Sequence, residues 1–71
     1  MARPYFILAL READHWSMEF GAYDRADVSG EFDDYRDHGA KARDLKVIRL
    51  ADDKISSVEG AIARLNSGAS L

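Results

Sequence analysis

The run Tyr5-Phe6-Ile7-Leu8-Ala9-Leu10 constrains this chain more than any other stretch. Six consecutive apolar residues, rich in strand formers, describe a strand with no wet face, covered on both sides or by two layers. Pro4 stands at its start, where a missing N–H costs least, and Arg11-Glu12 closes it with charge. The 71 residues have room for one domain, and a domain of such length buries only about 60% of the surface its unfolded chain exposes. A core this small supplies about 3 to 5 kcal/mol, so small scaffolds add disulfides, a metal or a partner chain. With no cysteine, a disulfide is excluded, and a zinc site would have to come from His15, His38 and carboxylates. A partner chain is the remaining device.

The second strand is expected over His15 to Ala22, where Trp16, Met18, Phe20 and Ala22 alternate with His15, Ser17, Glu19 and Gly21. Its apolar row should lie beside Phe6, Leu8 and Leu10. Between the two strands, Arg11 to Asp14 holds no glycine or asparagine, so a four-residue loop around a type I turn is expected rather than a tight primed turn. A helix begins after Asp24, a good N-cap, with Asp27 at its third position and Tyr23 and Val28 at the staple positions. Its apolar row is Val28, Phe32 and Tyr35, and Gly39 is its left-handed stop. The third strand is Leu45 to Leu50. A last helix runs to Asn66, with Ser56 and Glu59 as a capping box favoured over a start at Asp53. Its row is Val58, Ala61, Ile62 and Leu65. Gly60, inside it, costs roughly 1 kcal/mol relative to alanine and predicts a close approach to the sheet or to another helix.

These elements define an α+β class with the order ββαβα. The helical crossover from strand two to strand three predicts a three-stranded mixed sheet in the order 2-1-3, with strand one in the middle and both helices packed on one face. Residues 1–66 form the single domain and 67–71 a flexible C-terminal tail. The apolar run is too short for a signal-peptide core or a membrane span, and the lack of cysteine fits a cytoplasmic location. The C-terminal Ala-Ser-Leu lacks the basic middle residue of a peroxisomal signal.

Catalytic material is sparse, and the chain reads as a non-enzyme. Asp34 with His38, and Asp33 with Asp37, stand four apart on the first helix, but a solvated acidic face explains them better than a metal site. His15 beside Asp14 reads as a surface pair. Ser56 and Ser57 have no histidine near them in sequence and read as a helix cap. Gly21, Gly30 and Gly39 form no phosphate-cradling pattern. No cofactor or small-molecule substrate is implied.

Charge is unevenly spread. From Glu12 to Asp37 there are nine acids against two arginines, a balance of −7, whereas His38 to Lys54 carries five bases against three acids. The acidic stretch reads first as a solvated helix face. If both helices cover the Phe6/Leu8/Leu10 row, the opposite face stays open with Tyr5, Ile7, Ala9 and Val47 on it, a surface for association. The expected function is thus a non-catalytic protein-interaction module, a homodimer through that face or a binder of a protein partner. The alternative is single-stranded RNA binding through Lys41, Arg43, Lys46 and Arg49 with the sheet face. Against it stands the acidic half, which repels phosphate.

Overall fold

Tyr5–Glu12 (β1) and His15–Ala22 (β2) form an antiparallel hairpin in the structure, a computed structural model that describes residues 3–68. Helix α1 (Arg25–Asp37), a 3-10 turn (Ala42–Asp44), strand β3 (Leu45–Leu50) and helix α2 (Ile55–Asn66) follow. The strand order is β2-β1-β3, with the most apolar strand in the middle as its composition requires. Both ladders are antiparallel, so the expected mixed sheet is corrected. Strands β2 and β3 do point the same way, but β1 lies between them, and no hydrogen-bonded parallel pair exists among the described residues.

The hairpin turn is also tighter than expected. Ala13 and Asp14 alone connect the strands, with φ of 51° and 62°, the positive values a two-residue primed turn demands. Further along, the register slips by one residue: Leu8 faces Phe20 and Ala9 faces Met18, which leaves Glu19 as the extra residue of a β-bulge. That bulge divides the alternation of β2. Phe20 and Ala22 pack with Leu8 and Leu10, whereas Trp16 packs with Ala9.

The two helices therefore lie on opposite faces, which corrects the one-face arrangement. Val28, Phe32 and Tyr35 of α1 join Phe6, Leu8, Leu10, Phe20, Leu45 and Val47. Ile62 and Leu65 of α2 join Ala9, Trp16 and Ile48. Successive side chains of a strand point to opposite faces, so a strand apolar at every position calls for a helix on each side. Ile7, Leu8 and Ala9 are all fully buried.

Helix ends follow their local chemistry. Asp24 accepts from the Ala26 N–H at 2.9 Å. At the other end, Gly39 (φ 101°) donates to the Arg36 carbonyl and Ala40 to that of Tyr35, a Schellman stop. Helix α2 starts at Ile55 without the Ser56–Glu59 box. Instead Asp52 Oδ1 accepts from the Lys54 N–H (3.0 Å) and the Ser57 hydroxyl (2.7 Å). Ser67 and Gly68, the described part of the expected tail, close α2 with bonds to the Ala63 and Leu65 carbonyls. Residues 69–71 lie outside the described residues. Among the described residues, no helix is long and apolar enough to cross a membrane.

Candidate functional site

The sheet has two edges, and they differ. Edge strand β2 carries the Glu19 bulge and a side-chain seal: the Asn66 carboxamide accepts from the Trp16 N–H (2.6 Å) and donates to the Trp16 carbonyl (3.0 Å), standing in for a neighbouring strand. Both devices block edge-to-edge pairing. Strand β3 has neither. Its register with β1 is regular from Leu45 to Leu50, and Lys46 and Arg49 are its only charges.

The direction of its backbone groups follows from the hairpin. Trp16 turns its N–H and C=O outward to Asn66, so its partner Arg11 turns its own towards β3, as do Ala9, Ile7 and Tyr5. Lys46, Ile48 and Leu50 answer them. Leu45, Val47 and Arg49 point theirs away from the sheet. The Leu45 N–H bonds to the Ala42 carbonyl, and among the described residues nothing pairs with the outward groups of Val47 and Arg49.

Beside this edge runs a groove of about 590 Å³ between β3 and α2. Ile48, Leu50 and Ala61 supply apolar walls, and Arg49 and Arg64 are the charged residues along it. Gly60 lies in it too, and no atom outside its own stretch of helix comes within 4 Å of where a Cβ would be. The expected close approach at Gly60 is thus not made inside the described fold.

The expected association face is closed. Helix α2 covers it, Ile7 and Ala9 are at zero exposure, and Tyr5 is half-buried with its hydroxyl against Gly21. Val47 belongs to the opposite, α1-covered row, and it reaches the surface through its backbone at the β3 edge. Four predicted bases, Lys41, Arg43, Lys46 and Arg49, are exposed along the 3-10 turn and β3. Aromatic platforms beside them are occupied. Tyr5 meets Tyr23 edge-on at 5.1 Å between centroids, with Arg3 4.6 Å over the Tyr23 ring, and Trp16 is buried with Arg11 5.3 Å above it. Arg11 is further held by Asp44, at 2.9 to 3.0 Å.

The carboxylate–imidazole pair that the Asp34–His38 spacing allows is not formed, because His38 Nδ1 donates to the backbone carbonyl of Asp34 at 2.7 Å. Among the described residues, no group of three His, Cys, Asp or Glu side chains is placed to hold a metal. Three titrating groups are perturbed. The Tyr23 phenol is pushed up by its hydrogen bond to Asp53, then by burial and the Asp53 charge. Burial pushes Tyr35 up, helped by Glu19, Glu31 and Glu12. The Ser57 hydroxyl and the Lys54 N–H hold Asp52 below its ordinary range. Each is explained by the groups packed beside it, and they do not converge on one cleft.

Asn66 and the β3 groove were invisible to local patterns. Asn66 reads as an ordinary helix end, and its partner Trp16 is 50 residues away. Gly60 was the one local signal of the groove. Comparison of the chain with family models, curated proteins and solved structures returned no match.

Proposed function

We propose that this chain is a small non-catalytic module that binds other proteins by β-strand addition at its β3 edge. The observation that carries the reading is the asymmetry of the two edges. One is bulged and sealed by Asn66, while the other is regular and leaves the Val47 and Arg49 backbone unpaired among the described residues. Open edges recruit strands, and peptide docking by main-chain bonds is a common use of them. Association through the face of Ile7 and Ala9 is replaced by this edge, because α2 already occupies that face.

Amide exchange tests it. The Val47 and Arg49 amides should exchange quickly in the dilute chain and become protected when extended peptides, or a second copy at high concentration, dock. Protection that appears at β2 or α1 instead, or at no peptide and no concentration, would sink the assignment.

A second reading, RNA binding, is favoured by the exposure of Lys41, Arg43, Lys46 and Arg49 along the 3-10 turn and the β3 edge. It ranks lower because single-strand binders gain much of their affinity from base stacking, and Tyr5 and Trp16 are already packed. Salt-sensitive binding of oligouridine that Lys46→Glu abolishes would reverse the ranking.

A further inference from the structure

We infer that the occupant of the β3 edge is an extended, acidic segment of another protein, laid in the groove between β3 and α2 with its chain pressed against Gly60. The inference rests on the edge-binding reading and specifies its ligand. Three observations converge. Arg64 lines the groove and Lys46 stands on the same face of β3 as Ile48 and Leu50, while Arg49, at the rim, belongs to the opposite, α1-covered face with Val47; no carboxylate lines the groove. These cations along the rim complement an acidic chain, whereas the first turn of α2 is already taken by the Asp52 carboxylate and adds nothing to them.

Gly60 is the second observation. Glycine is the poorest helix former apart from proline, so mid-helix it calls for a reason. Here no internal neighbour supplies one: the space its side chain would fill is open and belongs to the groove. A backbone arriving from outside would use that space, as close backbone approach is what a missing Cβ permits. Third, the outward groups of Val47 and Arg49 stand two residues apart, the spacing at which an added strand makes its paired bonds. Alternate side chains of that strand would then face Ile48, Leu50 and Ala61 on the α2 side, within reach of Arg64, and the carboxylates between them would face the other side, where Arg49 stands.

A second copy of β3 fits less well. Self-pairing would lay two strands along one another that each carry Lys46 and Arg49 and no acid, so four positive charges would share one seam with none within the strands to offset them.

The test is selection of a random heptapeptide library on the full chain, followed by affinity measurements on three variants. Selected peptides should alternate acidic and apolar residues. Gly60→Leu should raise Tm, since leucine favours the helix, and yet weaken those peptides at least tenfold; Arg64→Glu should weaken them similarly. Val47→Pro removes an outward N–H at a sheet edge and should abolish binding while the circular dichroism of the fold persists. Peptides lost with Val47→Pro but indifferent to Gly60→Leu and Arg64→Glu would overturn this inference and leave edge binding standing. Selected peptides indifferent to Val47→Pro, or no selection at all, would overturn both. A dimer with protected Val47 amides in the absence of peptide, or preferential binding of oligouridine, would also overturn it.

Discussion

Ala13 and Asp14 stand side by side with positive φ, 51° and 62°, and neither is glycine. An alanine in the left-handed region carries roughly 1 to 2 kcal/mol of steric cost, which asparagine and glycine largely avoid. Replacing the pair by Asn-Gly (Ala13→Asn with Asp14→Gly) should therefore stabilise the fold by about 1 kcal/mol. Urea unfolding would show a higher midpoint at an unchanged slope. A second residue-scale effect belongs to Tyr23, whose neutral phenol donates to Asp53 and so titrates above its ordinary value of 10.0. Because the folded value lies above the unfolded one, the contribution of this bond is complete below about pH 10 and is lost as pH rises through the folded value. Asp53→Asn should bring the late phenolate absorbance change to lower pH.

At the scale of elements, the least expected device is the Asn66 seal on β2. It ties the last turn of α2 to Trp16 by two bonds, at 2.6 and 3.0 Å, and so fixes where the helix crosses the sheet. Asn66→Ala leaves both Trp16 backbone groups without a protein partner and should cost about 1 to 3 kcal/mol in chemical denaturation. It also uncovers the β2 edge, so the variant should aggregate more readily on heating. The opposite end of α2 depends on Asp52. Its carboxylate titrates below the ordinary 3.8, so its contribution is full above that value and fades as pH falls through the lowered one. In Asp52→Ala this acid-side fading should vanish, and helical circular dichroism should start lower at neutral pH.

For the molecule as a whole, Ile7 discriminates between an open and a covered sheet face. It is fully buried beside β3 under α2, so Ile7→Ala should cost about 2 to 5 kcal/mol. Ile7→Asp should prevent folding altogether, since a charge there would be buried without a partner. A folded Ile7→Asp monomer, seen by circular dichroism and solution mass, would return that face to solvent. What local patterns carried well were the elements themselves: the Asp24 cap, the Gly39 stop, the Val28-Phe32-Tyr35 row and the order β2-β1-β3. What they missed has a common cause. The alternation of Trp16, Met18, Phe20 and Ala22 is unbroken in sequence, and only pairing with β1 shows that Glu19 is extra. The primed turn lacks its usual residues, and the strand geometry on either side imposes it on Ala13 and Asp14.

The sequence by itself determined that strand one is central, because a strand apolar at all six positions has nowhere else to go. It determined the helix starts and stops to within a residue or two, because caps are satisfied by near neighbours. Only the tertiary structure decided which face each helix covers, because β1 offers an apolar row to both sides and nothing local ranks them. The edges were decided there as well. Whether a strand rim is sealed or open depends on a residue 50 positions away, Asn66 on Trp16, and it is that long-range contact which makes β2 the sealed edge and β3 the unsealed one.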